Sequence, residues 1–198
     1  LRGFGKDYVA LRLDAVGDNP YHVIYHEYAH DLMSLNFSVV PLWLGEGLAE
    51  FFGHTVISAR ESRLGVPSPG QLRLLRKSKL LPLETLFAVD YSSPYYSEET
   101  MTSIFYAQSW ALTHMLMVAN QGTRRDQIAD FLRLLEQDVP AAEAAPRAFG
   151  DLAALSRRLE AYIRQGDYSW FTVTASRTGA RENVPPPALS SIEGRLAA

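Results

Sequence analysis

Histidines at four-residue intervals constrain the fold of this chain more than any other sequence feature. Three of its five histidines are His22, His26 and His30, and the run His26-Glu-Tyr-Ala-His30 is an HExxH motif. Residues four apart share one face of an α-helix, with Cβ atoms about 5–6 Å apart. Two imidazoles so placed can bind one metal ion, and Glu27 can accept a proton from a water on that ion. The alternative is a solvated pair of helical histidines beside a glutamate.

The chain has no cysteine, which restricts the chemistry of any metal site. Disulfides, thiolate ligands and a cysteine nucleophile are all excluded. A metal site must therefore be built from histidine and carboxylate side chains.

A second set of such residues begins sixteen positions after His30. Glu46 and Glu50 are again four apart, within an otherwise apolar run. An unpaired carboxylate among apolar residues would be costly, and a metal cation would remove that cost. Glu50, one turn later, could accept a hydrogen bond from a ligand imidazole and orient it. The alternative is that both glutamates line a solvated helix face.

Length and charge bound the remaining possibilities. The 198 residues are 47% hydrophobic, enough for the core of one domain. The net charge of −3 lacks the excess of positive charge that is typical of nucleic-acid-binding proteins. No apolar run approaches the ~18 residues of a transmembrane helix, so this segment is expected to contain no membrane span.

The hydrophobic periodicity predicts an α+β fold that is mainly helical. Asn19 is the expected N-cap of the first helix, with Pro20 at its first position. Residues 82–96 are expected to be irregular, and strands are expected at residues 8–14 and 168–174. Helices are expected at about residues 21–35, 43–60, 71–79, 97–120, 125–137, 141–149 and 151–165.

The two clusters together resemble the gluzincin metallopeptidases, the group that contains thermolysin and the membrane-alanyl aminopeptidases. That group often carries its third ligand in a W-L-x-E-G-x-A context, which this chain matches at Trp43, Leu44, Glu46, Gly47 and Ala49. Residues 106–112, YAQSWAL, are similar to a sequence segment of bacterial peptidase MA-like domains. The resemblance covers about residues 8–118. It implies a zincin-like fold with Glu27 as base, Glu50 as a partner of a ligand, and Zn²⁺ bound by His26, His30 and Glu46.

Two departures from the gluzincin pattern affect the expected specificity. The gap between His30 and Glu46 is shorter than in the aminopeptidases, which trims the loop between the two helices. The G-x-M-E-N motif that holds a substrate's free amino end is missing from the sequence. Aminopeptidase specificity is therefore not expected.

Other side chains are candidates for supporting roles. Tyr106 is the first choice as oxyanion donor by analogy with related families, with His114 as the alternative and a core position as the competing interpretation. His54 continues the Glu46–Glu50 stripe, as a further partner of the ligands or as an exposed helix residue. His22 lies one turn too early to join the same ion and is expected to flank it. Residues 8–14 are a candidate edge strand for an extended peptide. The remaining candidates for a peptide cleft or a core cover are Tyr91, Tyr95 and Tyr96.

The expected organisation is a zincin-like domain over residues 1–177, cut at its N-terminus. Residues 178–198 are expected to be a Pro-rich linker and the start of a helical, repeat-like module through which the parent chain binds proteins. The expected activity is zinc-dependent hydrolysis of peptide bonds in a peptide or protein. One alternative is a catalytically inactive zincin-fold module used for binding or scaffolding. Another is hydrolysis of a non-peptide amide.

Overall fold

The structure is a computed structural model that describes residues 2–3, 6–7, 19–119 and 124–174. These residues form nine helices and five short strands. The helices are α1 (His22–Asn36), α2 (Leu42–Gly53), α3 (Pro69–Lys77), α4 (Leu83–Ala88), α5 (Pro94–Ser97), α6 (Glu99–Val118), α7 (Arg125–Glu136), α8 (Ala141–Phe149) and α9 (Leu152–Arg164). The strands are β1 (Arg2–Gly3), β2 (Lys6–Asp7), β3 (Val56–Ile57), β4 (Glu61–Leu64) and β5 (Phe171–Thr174).

Helix α6 forms the centre of the hydrophobic core. Phe105, Trp110, Leu112 and Leu116 on this helix are fully buried. Helices α2, α3, α5, α7 and α9 all pack against it, and α1 packs on the far side of α2. Because burying large apolar side chains is the main stabilising term in folding, this arrangement makes α2 a rigid layer between α1 and the core.

Gly47 sets how closely α2 approaches α6. A Cβ atom at this position would lie 2.6 Å from the backbone oxygen of Ser109 and would overlap the hydroxyl of Thr113. Any larger residue would therefore push the two helices apart. The glycine that follows Glu46 is thus explained by helix packing.

A three-stranded antiparallel sheet in the order β3-β4-β5 covers one end of the helices. Val56 pairs with Arg63 across β3 and β4, and Leu64 pairs with Phe171 across β4 and β5. Strands β1 and β2 form a separate antiparallel pair. The expectation of a mainly helical α+β fold with a small β component is confirmed.

Three of the sequence-based boundaries are wrong. The second helix ends at Gly53 instead of near residue 60, because the β-branched Val56 and Ile57 leave the helix and pair with β4. The segment expected to be irregular contains α4 and α5. Asn19 does not cap α1, which begins at His22, but donates from Nδ2 to the carbonyl oxygens of Gly53 and Thr55 at 2.8 and 3.2 Å.

Two expectations lie outside the described residues, namely the strand at residues 8–14 and the linker and helical module at residues 178–198. Within the described part of the chain, no helix has the length and apolar character needed to cross a membrane.

Candidate metal centre

Helices α1 and α2 run antiparallel and face each other with three polar side chains each. His22, His26 and His30 on α1 are spaced by four residues, as are Glu46 and Glu50 on α2 and His54 directly after it. His30 faces Glu46, His26 lies between Glu46 and Glu50, and His22 faces Glu50. We call this arrangement the His/Glu ladder.

Three ladder residues converge on one point. The Nε2 atoms of His26 and His30 are 3.2 Å apart, and each lies 3.4 Å from Oε2 of Glu46. The three atoms therefore form a nearly equilateral triangle. The sequence placed these same three residues together as metal ligands.

The triangle has the dimensions that a tetrahedral zinc ion requires. Ligand atoms at about 2.0–2.1 Å from a tetrahedral Zn²⁺ are about 3.3–3.4 Å from one another. Among the described residues, Oε2 of Glu46 is buried and has no hydrogen bond of sound geometry. Two facing imidazole nitrogens and a buried carboxylate oxygen without a partner together fit a bound cation.

Contacts between carboxylate and imidazole groups keep the centre ionised in spite of its burial. Burial opposes ionisation of Glu46, but its polar contacts with His26 and His30 outweigh burial and lower its pKa to about 2. Burial likewise opposes the charged form of His26, but its contacts with Glu46 and Glu50 raise its pKa to about 9. Without a cation, this centre therefore recruits a proton to balance its carboxylates.

Glu50 connects the centre to the rest of the ladder. Its Oε1 lies 3.2 Å from Nδ1 of His26, on the side of the imidazole away from Glu46. Its Oε2 accepts a hydrogen bond from Nε2 of Gln71 at 2.6 Å and lies 3.2 Å from Nε2 of His22. A carboxylate behind a ligand imidazole fixes the orientation of the ring and raises its basicity.

Two tyrosines lie beside Glu46. The rings of His26 and Tyr106 are stacked with centroids 6.4 Å apart, and the hydroxyl of Tyr106 hydrogen-bonds with that of Tyr96. The hydroxyl of Tyr96 donates to Oε1 of Glu46 at 3.5 Å. Burial, followed by the negative charge of Glu46, raises the pKa of Tyr106 far above its usual value, so its hydroxyl keeps its proton.

Glu27 and His54 occupy different positions relative to the triangle. Glu27 follows His26 directly on α1, and its side chain is exposed. His54 is half-buried at the other end of the ladder, where its Nδ1 donates to the backbone oxygen of Glu50 at 2.8 Å. Glu27 is thus open to solvent one position from a residue of the triangle, whereas His54 contacts Glu50, which lies beside His26.

His114 lies away from the centre, in the core. Its Nε2 donates to the carbonyl oxygen of Gly65 at 2.7 Å, and its Nδ1 accepts from the hydroxyl of Tyr162 at 2.6 Å. The side chain is fully buried, and both nitrogens are occupied. His114 is therefore not available as an oxyanion donor, and Tyr106 is the residue of that pair that lies at the centre.

Two residues of the site were missed in the sequence. The sequence predicts Tyr96 only as part of a core cover or cleft wall with Tyr91 and Tyr95, and it gives Gln71 no role beyond the start of a short helix. Ser93-Pro94 and Ser68-Pro69 are each a capping serine followed by proline at the first helical position, and this signal identifies the starts of α5 and α3. These two signals place Tyr96 and Gln71 in the first turns of α5 and α3.

A small cavity of about 220 Å³ adjoins His30. Its apolar wall comes from Met33, Phe37, Val40, Leu42 and Tyr91. Tyr91 is exposed at its edge, whereas Tyr95 packs against the core. The cavity offers space for an apolar side chain directly beside the triangle.

Comparison with known proteins places the chain in a family. Searches of curated proteins and of solved structures returned no match. The sequence model of one family matches residues 22–142, which is more than half of the chain and includes the whole His/Glu ladder. The chain therefore belongs to the family described as "Protein of unknown function (DUF1570)".

Proposed function

We propose that this chain is a zinc-dependent hydrolase of peptide bonds with a zincin-like fold. The observation that carries the proposal is the triangle of His26 Nε2, His30 Nε2 and Glu46 Oε2, whose edges of 3.2, 3.4 and 3.4 Å match a tetrahedral zinc site. Three protein ligands leave a fourth position for water or substrate, as in catalytic zinc sites.

Glu27 is the general base of the proposed reaction. When bound, Zn²⁺ would polarise the scissile carbonyl and lower the pKa of a coordinated water. The exposed carboxylate of Glu27 accepts the proton of the attacking water and returns it to the leaving amine. Its position next to His26 on the same helix keeps it adjacent to the centre.

Tyr106 is the proposed oxyanion donor. Its raised pKa keeps the phenol protonated, so its O–H, which bonds to Tyr96 in the free protein, would turn to the oxygen of the scissile carbonyl as negative charge develops there. Tyr96 holds the hydroxyl of Tyr106 by a hydrogen bond and contacts Glu46 at the same time. The pair therefore links the donor to a metal ligand.

The cavity beside His30 supports a peptide substrate. Its apolar wall and its volume of about 220 Å³ suit one apolar side chain of a bound peptide. We therefore expect cleavage next to an apolar residue.

The proposal is tested by elemental analysis for zinc, followed by a peptide-library assay with and without a chelator. We expect one zinc ion at the triangle, cleavage that stops with the chelator, and recovery when zinc is restored. Zinc bound at the triangle without cleavage of any peptide would favour the binding or scaffolding module. A protein that loses no zinc on replacement of His30 by alanine would contradict the ligand set.

A further inference from the structure

A second group of potential ligands lies at the other end of the His/Glu ladder. His22, Glu50 and His54 each offer one ligand atom, and these atoms all lie within 4.8 Å of one another. The rings of His22 and His54 meet edge to face with centroids 4.5 Å apart, and Nε2 of His22 is 3.2 Å from Oε2 of Glu50. Two imidazoles and one carboxylate form the same donor set as the triangle.

The hydrogen bonds of this group leave suitable lone pairs. His54 donates from Nδ1 to the backbone oxygen of Glu50, which leaves Nε2 as the nitrogen with a free lone pair. A ligand imidazole whose other nitrogen donates to a carbonyl is the usual arrangement in metal sites. Oε2 of Glu50 accepts from Gln71 and lies 3.2 Å from Nε2 of His22, so its second lone pair would face an ion once that nitrogen has lost its proton.

The protein holds His22 against α2 by a close approach of the two helices. A Cβ atom at Gly53 would lie 2.9 Å from Nε2 of His22, so a larger residue would require the imidazole to shift. Asn19 ties the start of α1 to the end of α2 through its bonds to the oxygens of Gly53 and Thr55. The position of His22 is therefore fixed by groups on both sides.

An open cavity of about 620 Å³ gives access to this group. It is lined by His22, Glu50, His54 and Gln71, together with Ser68 and Arg73 among others. Within the described residues, the amide oxygen of Gln71 is buried without a hydrogen-bond partner. It is an acceptor available to a donor such as water in the cavity.

We propose that His22, Glu50 and His54 form a second binding site for a divalent transition-metal ion of the zinc type. The ligands are Nε2 of His22, Oε2 of Glu50 and a ring nitrogen of His54, with water from the cavity completing the coordination. Glu50 contacts both sites, through Oε1 to His26 and through Oε2 to His22. The second site does not depend on the proposed peptidase activity.

The test is a titration of chelator-stripped protein with Zn²⁺, read by calorimetry and by metal content after gel filtration. We expect two ions in the unmodified chain, one in His22→Ala, one in His30→Ala and none in the double variant. Asp31→Asn on α1 is the matched control and should keep both ions. In the His30→Ala background, His54→Gln should weaken the remaining ion by more than the roughly 10–100-fold that loss of an outer partner costs.

The variants separate this proposal from the proposed function. A single ion that persists in His22→Ala and disappears in His30→Ala would overturn the second site and leave the proposed peptidase intact. A single ion that disappears in His22→Ala and persists in His30→Ala would support the second site and contradict the proposed catalytic ligands. Should His22→Ala not fold, His54→Gln in the unmodified chain is expected to leave one ion, and two ions at unchanged affinity would overturn the second site.

Discussion

Nδ1 of His26 lies 3.2 Å from Oε1 of Glu50, while Nε2 of the same imidazole faces Glu46. The ring is thus held between two carboxylates of one helix. A carboxylate in this position can orient an imidazole toward a metal ion, which is the role proposed for Glu50.

Glu50→Gln should weaken zinc binding at the triangle by about 10–100-fold. The amide still fits the space but no longer carries the negative charge that favours His26 as a ligand. The change is best made in the His22→Ala background, where competition with a chromophoric chelator reads the triangle alone. Glu61→Gln, which alters an exposed ion pair with Arg63 in β4, is the control. Equal zinc affinity with and without Glu50 would show that it does not support His26.

Glu27→Gln should retain zinc and lose turnover by about 10²–10⁴-fold. The amide cannot accept the proton of the attacking water, whereas the ligand nitrogens are untouched. Cleavage of the best peptide from the library, normalised to zinc content, measures the effect. Asp31→Asn makes the same acid-to-amide change one turn further along α1 and should leave turnover unchanged. Full activity of Glu27→Gln would rule out the assigned base.

Tyr106→Phe should lower kcat by about 10²–10³-fold with little change in zinc content. The substitution removes the hydroxyl and preserves the stacking of the ring on His26. Tyr95→Phe is the control, because Tyr95 packs against the core, one position from Tyr96. If the two variants turn over equally fast, the oxyanion role belongs to another group.

Gly47→Ala should lower the free energy of unfolding by about 1–3 kcal/mol, because its Cβ would collide with α6. Gly45→Ala on the same helix should instead raise it by up to about 1 kcal/mol. Within the described residues, that Cβ would meet Cγ1 of Val40 at 3.7 Å, an ordinary van der Waals contact. Urea unfolding in the presence of a chelator measures the free energy of unfolding of both variants. The same effect of both changes would contradict the close contact between α2 and α6.

His114 should make stability depend on pH between about 4 and 6.5. Burial lowers the pKa of His114 to about 4, against the opposing hydrogen bond to Gly65 and with help from the nearby His54. Within this window the unfolded chain binds more protons than the native one, so the free energy of unfolding rises with pH by up to about 1.4 kcal/mol per unit. Above the window the contribution is complete.

Comparison of the unmodified protein with His114→Gln, both free of metal, isolates the contribution of His114 to the free energy of unfolding. Glutamine can donate to the carbonyl of Gly65 and accept from Tyr162 but does not titrate. The difference in unfolding free energy between the two proteins should grow from about pH 4 to 6.5 and then become constant. A difference that does not vary with pH would show that His114 is not held neutral.

The residues of the triangle could be predicted because their arrangement is encoded locally. Two four-residue spacings fix which side chains share a helix face, and the apolar run around Glu46 indicates that its helix is buried. The predicted helix at residues 141–149 has the bounds of α8 for the same reason, since short-range periodicity determines it. Local patterns were sufficient wherever a helix alone positions the residue.

The remaining features depend on contacts between distant segments. Gln71 reaches Glu50 from α3, and Tyr96 reaches Glu46 from α5, across separations that no spacing rule covers. The end of α2 at Gly53 depends on strand pairing of residues 56–57 with β4. The sequence leaves His114 as a candidate oxyanion donor because its hydrogen-bond partners, Gly65 and Tyr162, are about fifty residues away on either side.

The His/Glu ladder has a further consequence for how α1 and α2 must be held. Both helices repeat their polar side chains every four residues, so a slide of one helix by one repeat, about 6 Å, would again match histidines with carboxylates. The ladder therefore cannot select its own register. That selection falls to aperiodic contacts, such as the two bonds from Asn19 to the end of α2 and the close approach of His22 to Gly53. Changes at Asn19 would alter which side chains share a metal without touching any ligand.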